Sequence, residues 1–249
     1  MRIRVLLFGQ LKDIMGRSED SLEVQPGTRL TDVMAQYSRQ FPRFGPMAGS
    51  IACSVNREYA PASAVLHEGD EVGLLPPVSG GLPADTAVQS DLQSEHCAIV
   101  REKIDSQKVA DALKAPEDGA TAIFEGIVRN NTRGRGTLYL NYEAYDSMAI
   151  NEMERLAKAS LQNFEIRDVR LIHRLGRLEI GETSILIVVV SAHRTAALEA
   201  CRWLIDTLKK TVPIWKKEYF EDGAIWADGE PFPDDILAKT GLQPRSESK

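Results

Sequence analysis

The stretch from Pro76 to Glu95 constrains this chain more than any other, because no continuous core can run through it. Pro76-Pro77-Val78-Ser79-Gly80-Gly81 is followed by residues 82–95, rich in Pro, Ser, Asp and Gln and without an apolar period. The chain is therefore expected to divide into residues 1–81, a linker at 82–95, and a larger domain at 96–249. No internal repeat is visible.

Residues 1–81 read as a small α+β unit. Ile3, Val5 and Leu7 alternate with Arg2, Arg4 and Leu6, a strand with one buried face. Ser21–Gln25 predicts a second strand, stopped by Pro26-Gly27. Thr31 caps a helix in which Val33, Met34, Tyr37 and Phe41 recur at helical spacing, and Pro42 ends it. Strands follow at Ile51–Val55, before a turn at Asn56-Arg57, and at Val72–Leu75, after a turn at 67–71. One helix packed across a small mixed sheet satisfies this order.

The larger domain mixes helices and strands without a regular βα repeat. Strands are expected at Ala98–Arg101, Ala120–Arg129, Thr137–Tyr145, Val169–Leu175, Ser184–Ala192 and Tyr219–Trp226. Helices are expected at Gln107–Leu113, Ser147–Phe164 and Thr195–Lys210. The longest puts Met148, Met153, Leu156, Ala157 and Leu161 near one face, the mark of an amphipathic helix on a sheet. An α+β sandwich follows.

Composition narrows the function classes. Thirty Lys and Arg against 36 Asp and Glu give a net charge of −6, which argues against a general nucleic-acid binder. No apolar run approaches the roughly 18 residues of a membrane span, and the N-terminus lacks the core of a signal peptide. A soluble cytoplasmic protein without membrane partners is expected. Cys53, Cys97 and Cys201 are too far apart for a disulfide framework or a zinc site. Persulfide roles are outweighed by ordinary packing, and His67, His96 and His173 read as turn or structural residues. No metal and no bound cofactor are expected.

Two features point to chemistry. The Gly80-Gly81 pair is ordinarily a flexible linker, but here it ends an extended Pro-Pro tail. Such a tail enters a narrow pocket only if no side chain crowds its end, and Pro76–Gly81 reaches about 20 Å when extended. The second feature is a set of basic clusters at the ends of regular elements. Arg129 opens Asn130-Asn131-Thr132-Arg133-Gly134-Arg135-Gly136, His193-Arg194 precedes a helix N-terminus suited to anions, and Lys209-Lys210 and Lys216-Lys217 flank Pro213-Ile-Trp215. A loop with Arg133 and Arg135 is by itself more often solvated than functional, and Lys209 and Lys210 also suit a helix C-terminus.

Residues 1–81 resemble the ubiquitin-like sulfur carriers, and within them the small subunit of molybdopterin synthase. The resemblance rests on Val5-Leu6-Leu7-Phe8-Gly9, Val55-Asn56, Gly69-Asp70-Glu71-Val72 and Pro76 through Gly81. Residues 96–230 resemble the large subunit of that enzyme. That likeness rests on Phe124–Arg129, Leu140–Tyr145, His173–Gly176, Gly181-Glu182, Val190–Arg194 and above all Pro213-Ile-Trp-Lys216-Lys217-Glu218. The pair in order on one chain resembles a fused molybdopterin synthase. The resemblance implies a β-grasp domain followed by an α/β hammerhead-like sandwich.

It also implies a reaction. Gly81 is adenylated by a sulfur-loading partner, becomes a thiocarboxylate, and gives sulfur to cyclic pyranopterin monophosphate to form the molybdopterin dithiolene. By motif match Lys209, Lys216 and Gly81 are the catalytic candidates, and Arg129, His193 and Arg194 hold the anionic substrate. Lys210 remains open beside Lys209 and Lys217 beside Lys216, with Arg133 and Arg135 as weaker candidates. A lysine draws the thiocarboxylate and moves protons, and a homodimer through the large domain is implied. One departure matters: Gly81 is joined to Leu82, so a protease cut after Gly81 is expected. A sulfur carrier or anion-binding scaffold inactive in fused form is the alternative.

Overall fold

The computed structural model describes residues 1–77, 91–227, 231–233 and 236. They fall into two compact units: the N-terminal residues with those from Trp226 onward, and the residues between them up to Ile225. Gly80 and Gly81 lie outside the described residues.

In the N-terminal unit β1 (Arg2–Leu7), β2 (Glu19–Glu23), β3 (Ala52–Val55), β4 (Glu58–Tyr59) and β5 (Glu71–Leu75) form one sheet in the order β2-β1-β5-β3-β4. β1 and β5 run parallel at its centre and the other pairs are antiparallel. That is the β-grasp arrangement. Helix α2 (Leu30–Gln40) lies across one face, where Leu30, Val33, Met34 and Tyr37 meet Ile3, Val5, Leu7, Cys53, Val72 and Leu74. The turn after β1 holds a short helix, α1 (Gln10–Met15), that the sequence reading lacked. Its Leu11 and Met15 are buried one turn apart and Gly16 closes it in a left-handed conformation.

The second unit has two sheets. The first runs β6 (Leu92–Gln93), β7 (Cys97–Val100), β11 (Asp168–Arg174), β13 (Thr183–Ser191), β8 (Ala120–Ile127). Leu92 and Gln93, read as the end of the linker, thus pair as a sheet edge. α4 (Asp146–Asn163) and α5 (Arg194–Thr211) cover one face and α3 (Ser106–Leu113) the other. This explains the apolar run 185–190. Ile185, Ile187 and Val189 face α4 and α5, while Leu186, Val188 and Val190 face α3. Both faces of that strand are spent inside the chain, so it offers none to a dimer interface.

The second sheet runs β12 (Gly176–Glu179), β10 (Arg135–Ala144), β14 (Ile214–Phe220), β15 (Gly223–Trp226), with β9 (Asn131–Thr132) hairpinned onto β10. The single strand expected at Tyr219–Trp226 is instead two. Pro213 stops α5 and the chain enters β14 at once, then turns at Glu221-Asp222 with Gly223 at φ 129. No helix among the described residues is long and apolar enough to cross a membrane.

Candidate active site

β14 separates the two neighbouring lysines that spacing left open. In an antiparallel pair, residues opposite one another share a face. Lys216 lies opposite Tyr142 and Glu218 opposite Leu140, whereas Lys217 lies opposite Asn141 and Trp215 opposite Glu143. Lys216 and Glu218 therefore share one face, and Lys217 is buried on the other beside Trp215. The Lys216 Nζ stands 2.7 Å from Glu218 Oε1. Glu218 is only 2% exposed, and its Oε2 has no hydrogen-bond partner among the described residues. A buried carboxylate of this kind fixes its ammonium in place, because leaving either charge alone is costly. Glu218 entered the sequence reading only as the end of a motif. The signal that finds it is the two-residue spacing on a strand.

Val128 packs with Leu140, Leu178 and Tyr142 on the face that carries Lys216. Exposed Arg129, the next residue, is thereby brought to the same end of the unit. Lys209 and Lys210 are both exposed at the end of α5. Lys209 follows buried Ile205 by one turn and edges the packed stripe, while Lys210 follows exposed Asp206 and faces water.

His193 and Arg194 lie at the opposite end. β13 finishes at Ser191 opposite Ala120, where β8 begins, and the Gly119 amide donates to the Ser191 carbonyl. Only Ala192 and His193 connect β13 to α5, so the helix folds straight back over the sheet. Eighteen residues of helix then separate Arg194 from Thr211, about 26 Å at 1.5 Å each. His193 is the N-cap, extended and exposed, and its side chain makes no capping bond. The N-terminal amides with Arg194 suit an anion. Lys209 thus stands about 23 Å along α5 from Arg194, at the other end of the helix.

The basic loop is a hairpin. Thr132 pairs with Arg135 across Arg133 (φ 52) and Gly134 (φ 83), and the Asn131 side chain accepts the Gly134 amide. Positive φ at both central residues is the hairpin turn that matches strand twist, which Gly134 adopts freely. Arg135 is engaged: its guanidinium lies over the Phe220 ring and pairs with Asp222. Arg133 is exposed at the tip.

The three cysteines are buried, and burial pushes the thiols up, Cys53 to about 12 and Cys201 to about 11. Such thiols are poor persulfide carriers. The cluster with metal-ligating side chains, Glu95, His96 and Glu154, is already compensated. Glu154 accepts from His96 and Ser94, and Lys158 stands 3.4 Å away. Those bonds hold the carboxyl down at about 2 against the opposing effect of burial.

Comparison with known proteins gives these halves their kinship. The ThiS family model matches residues 5–81 and the MoaE protein model residues 99–211. Molybdopterin synthase catalytic subunits are similar over the second unit. That of Pyrococcus abyssi is 46% identical across 47% of this chain and 80% of its own, and that of Halalkalibacterium halodurans 41% identical across 54% and 86%. The human one is 42% identical across 50% and 66%. The molybdopterin synthase structure from Staphylococcus aureus superposes with a TM-score of 0.50 at 36% identity, covering 52% of this chain and 95% of that one. A sulfur-carrier domain and a synthase domain in one chain define a sulfur-transfer enzyme of molybdenum cofactor biosynthesis. The chain belongs to the molybdopterin synthase catalytic subunit family, with a ThiS-family domain fused ahead of it.

Proposed function

We propose that the chain is cut after Gly81 and that the freed carboxylate, loaded as a thiocarboxylate by an adenylating partner, gives its sulfur to cyclic pyranopterin monophosphate. Cutting is required by chemistry, since an amide carbonyl at Gly81 has no carboxylate to adenylate. Lys216 and Lys209 receive the thiocarboxylate, and Glu218 keeps the Lys216 ammonium at a fixed place. The thiocarboxylate sulfur bonds to the precursor carbon and the oxygen there leaves as water. A second water then cleaves the acyl–sulfur bond, so the carrier leaves as a plain carboxylate, and two such transfers complete the dithiolene. The lysines supply cations for both anions and protons for the departing oxygen. Arg129, with Arg133 at the hairpin tip, lies toward the same end, and His193 and Arg194 bind the phosphate by charge-assisted hydrogen bonds. Lys210 serves only as a nearby positive charge.

The observation that carries this reading is the Lys216–Glu218 pair on a strand face shared with the packing of Val128, next to Arg129. The span of about 23 Å along α5 between Lys209 and Arg194 adds a second element: the working unit is a homodimer in which each site takes His193 and Arg194 from the other copy. Ile123 and Ile127, 48% and 52% exposed on the edge strand β8, support such a contact. The test mixes residues 1–81 carrying a C-terminal thiocarboxylate with residues 82–249 and the precursor. Dithiolene formation is expected, and its absence rejects the proposal.

A further inference from the structure

The β-grasp sheet has two faces, and α2 covers only one. By register Leu6, Ala52, Ser54, Tyr59, Gly73 and Leu75 share the other. A two-layer unit of this kind leaves that face in water, yet Ala52, Ser54 and Leu75 are all 0% exposed. The Ser54 hydroxyl is buried without a hydrogen-bond partner among the described residues. Something polar as well as apolar therefore belongs on this face.

One ring contact on this face points to the chain's own C-terminal segment as the occupant. Phe232 is 3% exposed and meets the Tyr59 ring edge-on, with centroids 5.9 Å apart. Ile236, also 3% exposed, follows one turn later, where its amide donates to the Pro233 carbonyl. At the head of the segment the Trp226 indole donates to Asp13 Oδ2 of α1 at 2.7 Å. All these residues fall in the same compact unit as β1–β5. Two apolar side chains one turn apart, with a polar anchor upstream, form a strap whose attachment does not depend on the Gly81–Leu82 bond.

We propose that Trp226, Phe232 and Ile236 anchor a retention strap: they dock on the carrier domain and hold it to the synthase domain after the chain is cut. The carrier then acts in cis, at a high effective concentration, and its tail returns to the sulfur-loading partner without the body being lost. The biological consequence rests on the cut proposed above. The docking is read with an engineered cut, so failure of the strap and failure of that cut are separate results.

The experiment places a site-specific protease sequence after Asp85 in the full chain, cleaves it, and measures the dissociation constant between the two pieces at micromolar concentration. Phe232→Glu is expected to raise that constant at least about tenfold, as loss of a central aromatic anchor does. In the uncut chain, Phe232→Ala is expected to speed amide exchange across residues 52–59 at least about tenfold, with residues 183–191 unchanged. An unchanged dissociation constant in Phe232→Glu, or unchanged exchange at 52–59 in Phe232→Ala, overturns the strap.

Discussion

At the scale of single residues, burial distinguishes the two lysines proposed as catalytic. Lys209 is exposed, so Lys209→Ala should lower sulfur transfer at least a hundredfold while stability moves by no more than about 0.5 kcal/mol. Lys216→Ala should lose the same activity and also cost about 2 kcal/mol, because Glu218 is left as an uncompensated buried carboxylate. Turnover assays paired with urea unfolding check both, and wild-type turnover in Lys209→Ala would move that role to Lys210. His173 makes a pH prediction. Burial pushes it down to about 4 from 6.5, although its ring nitrogen meets the Arg174 carbonyl and opposes the shift. The native state then holds His173 neutral while the unfolded chain takes up a proton below pH 6.5. Its stabilisation is complete above that pH and is lost as pH falls toward 4. Between pH 7 and pH 5 the loss is about 2 kcal/mol, and His173→Gln should remove that part of the pH dependence in urea midpoints.

At the scale of elements, the joint between β8 and the β13–α5 connection sets the anion end. A Cβ on Gly119 would stand 2.3 Å from the Ala192 carbonyl oxygen, backbone that cannot swing aside. Gly119→Ala should therefore destabilise the second unit by about 1–3 kcal/mol and weaken precursor binding through the displaced His193. Calorimetry and urea unfolding read the two effects. Periodicity made the long elements legible: α4, α5 and β13 all lie within a residue of their expected bounds. What periodicity missed was short or set by a turn. α1 has too few residues to show a period, and β9 and β12 exist through pairing with β10 rather than any pattern of their own. Within the site, the chain order showed which basic residues to consider. It preferred Lys216 but left Lys217 open beside it, because facing is a property of register. Glu218 stayed hidden because its role depends on burial, which a lone Glu beside two lysines does not reveal.

At the scale of the whole molecule, the junction and the dimer remain to be probed. Gly81→Val should leave the first unit folded, since the position lies beyond β5, and yet abolish activity. A β-branched side chain crowds the reactive carbonyl and blocks the cut. Intact-mass measurement from cells should find one uncut chain in that variant and a fragment ending at Gly81 in the parent. An uncut parent that still makes dithiolene without added carrier would overturn the cleavage argument.

The proposed dimer is argued from distance. Lys209 lies about 23 Å along α5 from Arg194, and Arg129 follows the end of β8 opposite the one that pairs with Ser191. A small phosphorylated pterin cannot span that gap, so a site using both must draw one end from a second copy. Light scattering should show a species of twice 27.6 kDa. A cross-complementation experiment goes further. Chains carrying Lys209→Ala are mixed with chains carrying His193→Ala under conditions that exchange subunits, and turnover is read at low precursor concentration. Each parent is weak alone. In a mixed dimer, one site pairs the intact Lys209 of one chain with the intact His193 of the other, while the second site has neither. Random exchange makes half the dimers mixed, so about a quarter of wild-type turnover should return. If each site were built within one chain, every site in the mixture would carry one lesion, and turnover would stay at the average of the two parents. That outcome would return His193 and Arg194 to the role of a solvated helix cap.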